Sequence, residues 1–225
     1  MTAPSPREGV ILMVHPSPDL YGSDRVFLES VSAFADAGWR VVVTLPEAGP
    51  LVPALVERGA EVELVPTPVL RKSYLAPVGL LRLAAATLRS LPASVRLLRR
   101  TRPALVLVNT VTVPVWIVLA RMLRRPAVCH VHEAEGSASS VVRKLLYLPL
   151  LAATGLVVNS RFSLDVLAGA WPRLRRRALV VYNGVVGPAD PTPPRPRLDG
   201  PVRLLFLGRL SARKCPQGAS AAVSE

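Results

Sequence analysis

The sequence predicts an α/β fold, a doubly wound Rossmann-like parallel sheet, and two observations carry that prediction. Apolar runs of strand length alternate with helical patterns along most of the chain. Several of the runs, Val10–Val14 and Ala104–Asn109 among them, are continuous rather than alternating. A strand covered by helices on both faces reads that way, whereas a strand wetted on one face alternates. Strand–helix–strand repetition with short turns then selects right-handed crossovers and a parallel sheet.

Val10–Val14 is the first strand. The helix after it takes Ser23 or Asp24 as its cap, presents Val26, Phe27, Ser30, Val31 and Phe34 as one face, and ends at Gly38. Arg40–Leu45 follows as a strand, then a short helix over Leu51–Arg58 stopped by Gly59, then a third strand at Glu61–Val65. The segment Tyr74–Arg100 is helical in pattern but carries Pro77 and Pro92, which predicts a kinked or broken element. Strands at Ala104–Asn109, Ala127–Val131, Gly155–Val158 and Leu179–Tyr182 alternate with helices at Val115–Arg124, Ser139–Leu151 and Arg161–Ala168. These elements make one domain over residues 8–185. Residues 186–201 are too dense in proline for helix or sheet and read as an extended linker. Residues 202–225 open a second domain, with a strand at Val202–Leu207 running into Gly208, and the sequence stops before that domain is built.

Half of the residues are apolar and the mean hydropathy is +0.36, which excludes global disorder. The net charge of +13 points to an anionic partner, while an aromatic content of 5% argues against a single-stranded nucleic acid, whose bases need stacking platforms. Cys129 and Cys215 are the only cysteines and neither has a neighbour at metal-ligand spacing, so neither a disulfide framework nor a zinc site is expected. Neither apolar stretch long enough to question, Ala104–Ala120 or Leu145–Val158, makes a membrane span: the first is interrupted by polar residues and proline, and the second is shorter than the roughly 20 residues required. The expected location is cytoplasmic. No acidic residue lies between Leu64 and His132, whereas Arg71, Lys72, Arg82, Arg89, Arg96, Arg99, Arg100 and Arg102 accumulate there. Arg82, Arg89 and Arg96 share one face if a single helix continues through Pro92. Leucines between them make the segment a candidate for docking at an anionic membrane surface, with an ordinary solvated arginine face as the alternative.

Four segments carry chemistry. The turn from His15 to Arg25, containing Tyr21-Gly22-Ser23-Asp24, opens the first helix, whose free N–H groups and positive end suit a phosphate or a sugar hydroxyl. Val128-Cys129-His130-Val131-His132-Glu133 ends the fifth strand, and side chains at such C-terminal ends line the crevice of an α/β sheet. Tyr182-Asn183-Gly184-Val185 is a turn where Asn-Gly tolerates positive φ. Gly208-Arg209-Leu-Ser-Ala-Arg213-Lys214 sets three cations behind a strand; fixed cations stabilise the charge that develops on a departing diphosphate.

In this order and spacing the four segments resemble the glycosyltransferases of family 4, retaining enzymes of the GT-B architecture. The resemblance implies that residues 8–185 form the acceptor-side N-terminal domain and that residues 202–225 begin the donor-binding domain. It implies that Gly22, Ser23 and His132 face the substrate, with His132 the candidate catalytic residue in the cleft. Arg209 and Lys214 grip the donor diphosphate, and Asn183 and Gly184 form the hinge. The partners it implies are a nucleotide-sugar donor and a carbohydrate or lipid-linked acceptor, at a site needing no metal and no cofactor. Ser23 stands where the family often has a second glycine, and Cys215 where it has the glycine after the lysine. The glutamate pair of the family's second domain is absent, so the chain is expected to be truncated and inactive alone. Two other classes compete. A dinucleotide-binding oxidoreductase domain is permitted by the β/α pattern, but the first turn lacks G-x-G-x-x-G and Glu47 only weakly mimics the ribose acid. A non-enzymatic basic module binding anionic membrane or nucleic acid fits the charge but leaves the ordered motifs without a role.

Overall fold

Each apolar run becomes a strand of one sheet. In the structure, a computed structural model, β1 (Val10–Val14), β2 (Arg40–Leu45), β3 (Glu61–Leu64), β4 (Leu105–Asn109), β5 (Ala127–Val131), β6 (Gly155–Val158) and β7 (Ala178–Val180) are all parallel. Their order across the sheet is β3-β2-β1-β4-β5-β6-β7. The structure describes residues 9–184 except 21, 71–76, 133–135 and 137, with 190, 191 and 193 beyond them. The chain divides into two units, Met1–Gly184 and Val185–Glu225. Almost all of the second unit, including Val202–Leu207, Arg209 and Lys214, lies outside the described residues.

Two cores explain why the strands are apolar throughout. On one face α1 (Gly22–Asp36) and α2 (Leu51–Glu57) set Phe27, Val31 and Leu55 against Ile11, Met13 and Val43. On the other, α3 (Pro77–Thr101), α4 (Val115–Met122), α5 (Ser140–Tyr147) and α6 (Arg161–Ala170) set Leu98, Trp116, Tyr147 and Leu167 against Leu12, Val14 and Val108. Successive strand residues point to opposite faces, so a strand between two cores has no wet face to mark with polar residues.

Several boundaries differ from those expected. Helix α1 starts at Gly22, so Ser23 and Asp24 lie in its first turn instead of capping it. Helix α3 is one element and is not broken at Pro92. Pro92 deprives the Leu88 carbonyl of its helical donor, at an exposed residue where solvent is available to replace that bond. Ser90 and Ser94 donate to the carbonyls of Thr87 and Ser90 at 2.8 and 3.0 Å and support the backbone on both sides of the proline. Ser139 is the N-cap of α5, accepting from the Val142 amide, and the helix gives way at Leu148–Ala152 to a 3₁₀ turn containing Pro149. At the sheet edge β7 runs over Ala178–Val180, earlier than the expected Leu179–Tyr182, because Ala178 pairs with Leu156 and leaves the last two residues past the end of the ladder.

The fully buried Leu12 and the 73% exposed Leu81 make a direct test of this packing. Leu12→Ala is expected to cost about 2–5 kcal/mol in urea unfolding, and Leu81→Ala to stay within about 0.5 kcal/mol. Similar losses for the two would contradict the assignment of the core.

Candidate functional site

The strand order reverses between β1 and β4, so the chain leaves their C-terminal ends in opposite directions and a crevice opens there. Polar side chains interrupt the apolar pattern at that edge. His15 follows β1, Asn109 ends β4, His132 follows β5, and Asp24 occupies the first turn of α1. They form one hydrogen-bonded chain. His15 Nε2 is 2.9 Å from Asp24 Oδ1, Asn109 Nδ2 is 2.8 Å from His15 Nδ1, and His132 Nε2 is 2.7 Å from Asn109 Oδ1. His15, Asp24 and Asn109 are buried and His132 is half-buried. The positive end of α1 favours a carboxylate at Asp24, to which Ser23 Oγ also donates at 3.1 Å.

Packing holds the rings. His15 stacks on Phe27 with centroids 4.4 Å apart, and His132 lies 4.0 Å from the ring of His130. The Asn159 amide at the end of β6 donates to the His132 carbonyl at 2.8 Å. Beyond Asn109 the backbone turns through Thr110 at φ 105°, a costly conformation for a β-branched residue, held by its amide donating to the His130 carbonyl at 2.8 Å. Strain of that kind persists where the surroundings over-determine it, here beside the polar chain.

His130 and His132 are both held neutral. Burial pushes the His132 imidazole down to about 4, with the neighbouring His130 and His15 acting in the same direction and Asp24 opposing them. Burial also lowers His130, whose Nε2 has no hydrogen-bond partner among the described residues. Cys129 is fully buried and its thiol is pushed up to about 12, so it is an inert core residue on the opposite face. Among the described residues no cluster of three or more His, Cys, Asp or Glu is arranged to hold a metal ion.

Of the residues singled out from the sequence, Gly22, Ser23 and His132 gather at this edge. Gly22 opens α1 and is exposed, and among the described residues outside its own turn a Cβ built there meets no atom within 4 Å. The fold therefore does not itself require glycine at that position. Asn183 and Gly184 follow β7 as exposed coil, and neither adopts the positive φ that the pair tolerates. Arg209 and Lys214 lie outside the described residues. Sequence reasoning missed the roles of His15, Asp24, Asn109 and His130. The available signal was positional, since Asn109 is the polar end of an otherwise apolar run and His15 stands one residue beyond another.

The model of Glycosyltransferase Family 4 matches residues 21–186. The chain belongs to glycosyltransferase family 4. Among curated proteins none matches it in sequence. Solved structures similar in fold include Anabaena HepE in complex with UDP and glucose, with a TM-score of 0.59 and 21% identity over 79% of this chain and 45% of that one. A glycosyltransferase from Rickettsia africae gives a TM-score of 0.55 and 15% identity over 79% of this chain and 43% of that one. The kitacinnamycin glycotransferase gives 0.54 and 16% identity over 82% and 54%. The chain thus spans about half the length of the solved proteins it resembles, and its Rossmann-like sheet matches their GT-B architecture.

Family membership displaces the dinucleotide reading and gives the polar chain a context, the strand-order reversal of a family 4 domain. The depressed histidines carry a consequence for stability. The unfolded chain takes up protons near pH 6.5, whereas folded His132 does so only near 4, so the unfolded state binds more protons between those values. Stability is expected to be intact above pH 6.5 and to fall as pH drops through that window, by roughly 1 kcal/mol from His132 at pH 5.5. Urea midpoints at pH 7.5 and 5.5 measure it, and His132→Gln is expected to flatten the difference. Midpoints unaffected by that substitution would show that His132 is not desolvated.

Proposed function

We propose that this chain is the acceptor-side domain of a retaining glycosyltransferase that moves a sugar from a nucleotide-sugar donor to a carbohydrate or lipid-linked acceptor of the cell envelope. The observation that carries the reading is the family match over a domain whose strand-order reversal is lined by His132 and the opening turn of α1. In this reading Gly22 and Ser23 present helix N-terminal amides to a ligand, and neutral His132 contacts a hydroxyl. Asn183 and Gly184 serve as the hinge. The donor diphosphate is held by Arg209 and Lys214, whose charges stabilise the leaving group without a metal or cofactor. Transfer across such a cleft requires both halves to position the reactants and exclude water.

The reading extends to the membrane. Helix α3 runs unbroken, so Arg82, Arg89 and Arg96 share a face, and Leu81 and Leu88, each one residue before an arginine, are exposed at 73% and 67%. Leu97 and Leu98 are buried, as a solvated arginine face over a leucine face requires, whereas Leu81 and Leu88 are not, and those two support the docking reading. No described helix is long and apolar enough to cross a membrane. We place the domain at the cytoplasmic face of an anionic membrane, docked through α3.

Two outcomes are expected. The 225-residue chain alone transfers no sugar, and joined to a donor-side domain it binds a nucleotide sugar in calorimetry with an affinity that Arg209→Ala lowers about tenfold or more. Transfer by the chain alone would contradict the division of labour, and a joined protein that binds no nucleotide sugar would contradict the transferase reading. In vesicle sedimentation the chain should bind phosphatidylglycerol vesicles, release with added salt, and bind less when Arg89, Arg96 and Arg99 become Gln. Equal binding to neutral phosphatidylcholine would remove the membrane proposal.

A further inference from the structure

The polar chain at the crevice has a direction. Asp24 offers His15 only an acceptor, a carboxylate 2.9 Å from Nε2, so that nitrogen carries the proton. His15 Nδ1 is then the acceptor for the Asn109 amide nitrogen at 2.8 Å. An amide committed to donating on one side presents its carbonyl on the other, and Oδ1 faces His132 Nε2 at 2.7 Å. A carbonyl only accepts, so His132 must donate from Nε2. The opposite direction would turn the amide over and require both His15 nitrogens to carry protons, at a ring 2% exposed.

We infer that Asn109, itself oriented by His15 and Asp24, is a positioning residue that fixes His132 as its Nε2–H tautomer and leaves Nδ1 as the accepting nitrogen of the ring. The function of the three buried residues is then to choose what His132 can recognise. With Nδ1 accepting, His132 takes a hydrogen bond from a hydroxyl and discriminates against a group that offers only lone pairs, such as a phosphate oxygen. The inference deepens the transferase reading and rests on it for the identity of the ligand. The direction of the hydrogen bonds belongs to the unliganded protein and is measured without substrate.

The sequence holds three histidines, so the imidazole region of a ¹⁵N-labelled 225-residue chain is assignable by His→Gln variants at each position. Two-bond proton–nitrogen correlations at neutral pH are expected to show His132 protonated at Nε2 alone, with an Nε2–H resonance protected from exchange with water. Asn109→Leu removes the acceptor, and the protected resonance should be lost. Asn109→Asp keeps an acceptor toward His132, so the His132 Nε2–H resonance should survive, while one proton must lie between the new carboxyl and His15 Nδ1. A His132 protonated at Nδ1 in the wild-type chain, or a protected Nε2–H persisting in Asn109→Leu, would overturn the inference. Circular dichroism reports whether Asn109→Leu folds, and if it does not, the wild-type tautomer and Asn109→Asp decide. In the latter a lost His132 Nε2–H resonance would overturn the assignment. A purely structural role for Asn109 would leave that resonance indifferent to whether Leu or Asp stands at position 109. A wrong assignment of the substrate would leave all of these spectra as expected, so the two failures are told apart.

Discussion

The hydrogen bond between His15 and Asn109 spans the one place where the sheet changes direction. A right-handed crossover through α3 carries the chain from β3, on one side of β1, to β4 on the other. Helices α1 and α2 therefore cover one face and α3 to α6 the other, and the ends of β1 and β4 are left without a connection above them. Any polar group placed there lies between two cores and must find its partners locally. His15 and Asn109 satisfy each other across that gap, and this commits their remaining atoms to Asp24 and His132. The geometry of the crevice thus follows from the strand order before any ligand is considered.

The sheet was legible because its signal is composition at short range. Continuous runs such as Val10–Val14 admit few interpretations, and all seven strands overlap the runs read for them. Where the reading failed, the deciding term was tertiary or local to a few atoms. Pro92 predicts a kinked or broken element from backbone chemistry alone, yet the helix is not broken there, and hydroxyls brace the flanking turns. Ser23 and Asp24 are good capping residues, but burial of Asp24 against His15 draws them into the first turn. The site was half legible. His132 stood out through its resemblance to a family motif, whereas Asn109 becomes informative only once the parallel register sets it beside His130 and His15 is known to lie across the reversal.

Charge and burial divide the molecule into two regimes. Around the sheet edge, exposed pairs such as Arg40–Glu61 and Arg58–Glu29 engage some of the acidic residues and contribute little to stability. In α3 acidic residues are missing and several arginines stand beside exposed leucines. That surface costs nothing while solvated, and its attraction to an anionic surface decays within a Debye length. At the crevice the opposite holds. Groups there are mostly buried, screening is weak, and the polar atoms are satisfied by one another.

That contrast bears on why a buried polar chain occurs where apolar packing would be more stable. A half-satisfied network in a core is worse than none, because each unpaired atom loses its hydration without compensation. Asp24, His15 and Asn109 avoid that loss only by adopting a single direction of donation, which ends at the one half-buried member, His132. The energetic requirement to satisfy three buried groups and the functional requirement to orient one cleft residue are therefore met by the same set of hydrogen bonds. His130 stands apart, packed at a tilt against His132 with an Nε2 that no described residue satisfies and kept neutral by burial. Its ring supports the orientation of His132 through packing, and its neutrality keeps that contact free of like-charge repulsion.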